Sequence, residues 1–338
     1  MLRYLAKSAL LIGISVVIVC GVYPGILWVI GQTLFPFQTN GSIVRSDDGK
    51  VIGSLLVAQP FTKDEYFQPR PSAASYDATA STSSGYAPSN YALRDRVARA
   101  LGPIVTYASG DKKGQPVAPD VEAWFKEDKA GGNAHIVAQW ADAHNSLAQG
   151  WVTADPTHGP YVDAWAKAHD DSVKDWIKKN PATPQPKASD LAVLFFESFS
   201  NDHPGVFPSP VTKTGADGKP VTDIEPVSAG SDIQSIFFDM WRANNPDVAL
   251  NDVPGDLVTA SASGLDPDIT LANAEFQLDR VAAKWADDKK LKADDVRKDI
   301  EAILQNKAHA PWGGAIGETL VNVLEVNLEL HKKYGDPA

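Results

Sequence analysis

From residue 8 to residue 44 the chain carries no charged side chain, and residues 9–35 (ALLIGISVVIVCGVYPGILWVIGQTLF) are almost continuously apolar. A bilayer core is crossed by about 20 apolar residues in helical form, so this run is long enough to span a membrane. Its flanks set a direction. Arg3 and Lys7 are the only charges ahead of Arg45; the positive-inside bias keeps them cytoplasmic and puts everything after residue 35 on the outer side. The run is longer than the apolar core of a secretory leader and has no A-x-A cleavage pattern, which favours a retained anchor. Cys20 lies inside it and is the sole cysteine, so no intramolecular disulfide and no thiolate metal cluster can form. Val19 is too bulky for a lipoprotein cleavage site before Cys20. Pro24 predicts a kink that neighbouring helices can satisfy.

The rest of the 338-residue chain carries 29 basic against 42 acidic side chains. Such a surface repels phosphate backbones and excludes nucleic acid as a partner. With 43% hydrophobic residues the chain can bury one large core or two modest ones. Residues 42–45 and 51–57 predict a hairpin closed by Asp47-Asp48-Gly49. Arg70, held between Pro69 and Pro71, must be extended. After a Ser/Thr/Gly-rich loop, Ser89 or Asn90 can cap a helix whose apolar face is Leu93, Val97 and Leu101.

Composition shifts at Gly102-Pro103 and shifts back near Asn245-Pro246. Between them lie Trp124, Trp140, Trp151, Trp165 and Trp176 at helical spacings, then proline clusters, then helices around Phe195/Phe196/Phe199 and Ile233/Phe237/Met240/Trp241. This predicts a mainly helical insertion with its own small core. Beyond it, a short buried strand is expected at residues 257–259, and Thr270 is expected to cap a helix through Leu271, Ala274, Leu278, Val281 and Trp285. A second helix carries Val296, Ile300, Ile303 and Leu304. In ETLVNVLEVNLEL the alternation of Val321/Val323 and Val326/Leu328/Leu330 favours a strand that breaks phase near Leu324. The fold class is therefore α+β: a single N-terminal transmembrane helix and a small mixed α/β soluble domain interrupted by the helical insertion. The expected segments are 1–39 (anchor), 40–101 with 247–331 (a discontinuous head), 102–246 (insertion) and 332–338 (tail).

No complete catalytic motif accompanies this pattern. Gly215-Ala216-Asp217-Gly218-Lys219-Pro220 lacks the spacing and the Ser/Thr of a phosphate loop. Thr212-Lys213-Thr214-Gly215 has threonine where an acyl phosphate needs aspartate. There is no G-x-S-x-G elbow. His135, His144, His158 and His169 have no i, i+4 partner and no H-E-x-x-H, so no metal site is expected. His169 with Asp170 and Asp171 reads as a solvated helix face, and Asp266/Asp268 and Asp294/Asp295 read as helix-start carboxylates.

The order of short motifs carries more. A lone N-terminal span ending in FPFQTNGS is followed by GSLLVAQPF, YFQPRPSA, PSNYAL, DLVTASASGLDPDIT and GETLVNVLEVNLEL. Over about residues 1–101 and 247–331 this resembles the C subunit of the Kdp potassium-transporting P-type ATPase. The insertion has no counterpart in the usual, shorter family member. The usual L-I-G-Q-x-F stands here as Leu56-Val57-Ala58-Gln59-Pro60-Phe61, and the residue after L-D-P, often asparagine or histidine, is Asp268. The resemblance implies an accessory, non-catalytic subunit in the bacterial inner membrane that stabilises a complex with a potassium-channel-like subunit and an ATP-hydrolysing subunit. ATP and potassium would be handled by the complex, and no cofactor by this chain alone. It also implies a catalytic chaperone raising nucleotide affinity, with Gln59 as the nucleotide-associated residue; the charge flanks instead put Gln59 outside, as part of a cap near the potassium entrance. Arg70, Ser89, Asn90, Ser261, Ser263, Asp266 and Asn322 are the motif positions expected to shape the head or its partner face, with turn and capping chemistry the alternative for each. A membrane-anchored outer-surface interaction module built around the Trp-rich insertion is the competing reading.

Overall fold

The computed structural model describes residues 2–46, 48–87, 89–128, 135–214 and 219–337. The chain is α+β and divides into two compact units, one of Met1–Gly85 with Pro254–Ala338, the other of Tyr86–Val253. In the first, the apolar run forms helix Leu2–Val17, a π-helical turn Ile18–Val22 and helix Tyr23–Leu34. Together Arg3–Leu34 is 32 residues with nothing buried in the single chain. At 1.5 Å per residue it is roughly 48 Å long, more than the ~30 Å of a hydrocarbon core. Pro24 has no N–H to give, and the ladder adapts one residue earlier, where the Tyr23 N–H reaches back to the Ile18 carbonyl. A π turn is a common way for a helix to absorb such a break.

Strands Ile43–Arg45 and Val51–Ser54 form the expected hairpin, pairing Ile43 with Ser54 and Val44 with Gly53. Asp47 of the expected turn lies outside the described residues; Gly49 supplies the positive φ of 81° that closes it. The second strand is shorter than expected because the chain folds back at residues 54–57 and the Ala58 N–H donates to the Leu265 carbonyl.

Helix Leu271–Lys289 begins at Thr270, whose hydroxyl accepts from the Asn273 N–H. Helix Ala293–Lys307 runs back along it, with Asp294 and Asp295 in its first turn. Two sequence expectations are corrected. Residues 257–259 are not a strand: Gly255–Val258 is one helical turn. The C-terminal segment is a strand only over Leu320–Asn322, paired with Asp268–Thr270, and then becomes helix Val323–Tyr334. Its apolar residues alternate, yet Val323, Val326, Asn327 and Leu330 also recur at three and four, and the Asn322 side chain accepts from the Glu325 N–H to start a helix. The core of this unit is Phe67, Ile269, Leu278, Val281, Trp285, Ile300, Val321 and Leu330.

The second unit opens with helix Tyr91–Leu101, capped by Asn90. Composition assigned this helix to the head, but its Ala98 and Leu101 pack with Phe238 and Trp241. Gly102 is required at its end, since a Cβ there would sit 1.9 Å from the Gln234 carbonyl oxygen. Helices Ile136–Ala143, Asn145–Ala154, His158–Ala168, Asp170–Lys179 and Ala192–Asp202 follow the predicted periodicities, broken into shorter pieces. Trp140 is fully buried, edge-on to Phe196, Phe207 and Phe237 at 5.2, 5.7 and 6.0 Å. His169 is not simply a solvated face: its ring lies parallel to Trp165 at 5.0 Å. The unforeseen element is the hairpin Phe207–Thr214 with Pro220–Val227. Prolines 208, 210, 220 and 226 argued against strands, but in a two-stranded ribbon every strand is an edge and a missing N–H is tolerated. Four residues of the near-miss phosphate loop, 215–218, lie outside the described residues.

Candidate functional site: a clamped peptide and the Gln59 cleft

Residues 64–66 form a turn in which the Tyr66 N–H donates to the Lys63 carbonyl, and residues 67–71 follow through the two prolines with no strand beside them. Much of this backbone is satisfied by side chains. Asn327 accepts from the Phe67 N–H and donates to the Phe67 carbonyl, both at 2.9 Å. Gln277 does the same for Gln68, at 2.8 and 3.0 Å. Arg280 donates to the carbonyls of Asp64 and Tyr66, and the Trp285 indole N–H to that of Glu65 at 2.7 Å. A primary amide presents a donor and an acceptor side by side and so imitates a neighbouring strand. Asn327 and Gln277 are buried. Sequence reasoning missed both; the signal available was an amide placed on the apolar face of each helix.

Arg70, Ser261, Ser263 and Asp266 come together where this segment meets the 260–266 loop. The Arg70 guanidinium donates to Asp266 at 3.3 Å and to the Ala260 carbonyl, while the Tyr76 hydroxyl donates to the Arg70 carbonyl. Ser261 is buried and its N–H donates to the Pro71 carbonyl. The Ser263 carbonyl accepts from the Thr82 N–H and the Ser81 hydroxyl, and its own hydroxyl accepts from the Leu265 N–H. Gly264, at φ 70°, leaves no space for a Cβ between Ala74 and the Thr82 carbonyl. Asp266 accepts from the Asp268 N–H in a turn, so these two acids do not begin a helix.

Asn322 stands apart from that loop, donating to Asp268 at 3.0 Å and to the Leu55 carbonyl. Burial pushes the Asp268 carboxyl up, and the Asn322 amide and His309 work against that shift. Ser89 and Asn90 are not brought to the loop; both are exposed at the start of helix Tyr91–Leu101 in the other unit.

Gln59 is half-buried beside Gly53, where any Cβ would strike its amide oxygen. It lines a cleft of about 410 Å³ with Phe61, Tyr66, Lys50, Leu324 and His331. The Phe61 and Tyr66 rings lie 5.4 Å apart, and burial raises the Tyr66 phenol. The Ser46 hydroxyl in the wall is engaged with the Asp48 carboxylate, and His331 with Asp336 at 2.7 Å. The cleft thus offers shape, stacking and one ammonium, and among the described residues its wall pairs no nucleophile with a base.

A long apolar N-terminal helix on an α+β head held together by polar clamps defines a membrane-anchored protein with a single soluble head and an inserted domain. The comparisons make this specific. The family model for the K+-transporting ATPase c chain, KdpC, matches residues 5–123 and 234–332, and the chain belongs to that family. A potassium-transporting ATPase KdpC subunit of Caulobacter vibrioides is 26% identical over 336 residues, covering 99% of this chain and 95% of the relative. Those of Pseudomonas syringae pv. tomato and Pseudomonas aeruginosa are 38% identical over 130 residues and 49% over 77, covering 35% and 23% of this chain and 68% and 42% of the relatives. The Caulobacter match runs through residues 102–246, so the insertion does have a counterpart in the family. The family model leaves out only residues 124–233 of the interior, a narrower stretch than the composition change marked.

Proposed function

We propose that this chain is the non-catalytic, assembly-stabilising subunit of a Kdp-type potassium-importing ATPase in a bacterial inner membrane. ATP is hydrolysed by one partner subunit and potassium is conducted by a channel-like one. The N-terminus is cytoplasmic, the anchor packs against partner spans, and the head caps the outer side. The observation that carries this reading is the 32-residue uncharged-cored helix with Arg3 and Lys7 at its N-terminal end and every apolar face unoccupied in the single chain. Arg70, Ser261, Ser263, Asp266 and Asn322 act by shaping the head, and Ser89 and Asn90 by starting the inserted unit.

A catalytic chaperone using Gln59 is the second reading, favoured by the place of Gln59 in the cleft. It needs the cleft on the cytosolic side. Both are tested in the complex purified from detergent-solubilised membranes of potassium-starved cells. With Gln59→Ala, the cap reading expects the KM for ATP to stay within about twofold, whereas a loss of one substrate contact raises it about tenfold. A cysteine at position 59, in a Cys20→Ser background, is expected to react with a membrane-impermeant maleimide in cells whose inner membrane is intact. Protection until lysis overturns the cap.

A further inference from the structure

Two large apolar side chains of the head leave most of their surface in solvent. Trp312 and Ile316 are 86% and 70% exposed, more than any other large hydrophobic residue described outside the anchor. Both sit on the loop of residues 310–317 (APWGGAIG), which has no charged side chain and no hydrogen-bonding one except the indole N–H. The loop is not a frayed end, because His309 and Leu320 at its base exchange both backbone hydrogen bonds at 2.9 Å. Trp312 holds a φ of 52°, a conformation that costs a bulky residue energy, yet its ring belongs to none of the apolar cores. A pinned, uncharged loop that turns tryptophan and isoleucine outward has the character of an interaction surface.

The place of the loop on the chain says what it meets. Its base is linked to the end of the anchor by a short path of hydrogen bonds. The Ser42 N–H donates to the Phe37 carbonyl, the Leu55 N–H to the Ser42 carbonyl and the Asn322 amide to the Leu55 carbonyl, at 2.9, 3.1 and 2.9 Å. Asn322 ends the strand Leu320–Asn322, whose first residue is the partner of His309. Phe37 and Leu56, at two points along this path, are exposed as well. The loop is thus rooted a few hydrogen bonds from where the chain leaves the anchor. An anchor of roughly 48 Å exceeds the ~30 Å hydrocarbon core, and such a span tilts, which lowers one side of the head's base toward the lipid. The tether also keeps the bilayer at high effective concentration, so a shallow contact suffices.

We propose that the 310–317 loop is a second membrane contact, in which Trp312 and Ile316 enter the interfacial layer of the bilayer that holds the anchor and fix the tilt of the head. Tryptophan is favoured at that depth, where its ring meets acyl chains and its N–H meets headgroups or water. A protein partner is normally met by a polar rim around the apolar centre, and this loop carries none. The inference rests on the anchor staying in the bilayer.

The test is power-saturation electron paramagnetic resonance on the full-length chain, in vesicles of phosphatidylcholine with a minority of phosphatidylglycerol. A nitroxide at Ile316→Cys, in a Cys20→Ser background, is expected to collide with oxygen relative to a nickel chelate at least about fivefold more than free nitroxide in buffer, as a site in the interfacial layer does. Adding Trp312→Asp is expected to return that ratio to within about twofold of the aqueous value, because a carboxylate resists the layer. An aqueous ratio at position 316, or no change with Trp312→Asp, overturns the proposal. The native Cys20, labelled in the unaltered chain, reports on the anchor separately. Lipid at Cys20 with water at position 316 removes only the second contact, whereas water at Cys20 removes the anchor and this inference together. In the complex purified from membranes and reconstituted in the same vesicles, a label at position 316 shielded from both oxygen and nickel places a partner subunit over the loop and overturns the assignment to lipid.

Discussion

In the head, residues 64–68 pass from a turn into a stretch with no strand alongside, and their peptide groups are met by Asn327, Gln277, Arg280 and Trp285. In the inserted unit the chain is mostly helix or paired hairpin, and the interior is filled by rings that touch one another: Trp140, Trp151, Phe195, Phe196, Phe207 and Phe237. The first arrangement depends on hydrogen-bond geometry, which an isosteric change can break. The second depends on volume and area, which tolerate repacking but not truncation.

That contrast orders the expected effects of substitution. Trp140→Ala empties the centre of the aromatic cluster and is expected to cost about 3–5 kcal/mol, read by urea denaturation followed at the inserted unit. Trp140→Phe should recover most of it, as an area-driven core would. Asn327→Leu keeps the bulk but strips both partners from Phe67 and is expected to cost at least about 2 kcal/mol, since each of the two orphaned peptide groups costs about 1–3. A cost near that of an ordinary surface change would show that water replaces the amide and would erase the contrast. Removing a helix cap, Thr270→Ala in the head or Asn90→Ala in the insertion, should cost about 1 kcal/mol each and fall equally on both units. The smallest effect is one of sign. Burial holds the Asp268 pKa above its unfolded value, so between the two values the folded state holds the extra proton, and stability falls as pH rises through the folded pKa. Asp268→Asn keeps the carbonyl that Asn322 donates to and should raise the melting temperature at pH 7, with the gain shrinking as pH falls toward about 4. A gain independent of pH would assign the effect to something other than ionisation.

The same contrast explains what could be read from the sequence. Periodicity exposes area, so the anchor, the Thr270-capped helix and the Trp-bearing helices were legible from spacing alone. Amide clamps have no period: Asn327 and Gln277 look like polar interruptions of an apolar stripe until the segment they hold is seen. The strand expected at residues 318–330 failed for a related reason, because Val323, Val326 and Leu330 satisfy both spacings and the choice is made by Asn322 as a cap. Of the motif positions, Arg70, Ser261, Ser263 and Asp266 meet at one loop because Gly264 permits a close crossing, and local patterns cannot report a crossing. Asn90 was legible as a cap.

The clamp on Phe67 also sets a timetable. Its amide arrives 260 residues later in the chain. At about 5–20 residues per second of synthesis, the segment that ends in Gln68 waits roughly 13–50 s on the ribosome-bound chain before its partner exists. Everything from Tyr86 to Val253 emerges within that interval. The guest domain can therefore finish folding while its host is still open, and the host closes last, around a peptide that has had no permanent neighbour since it was made.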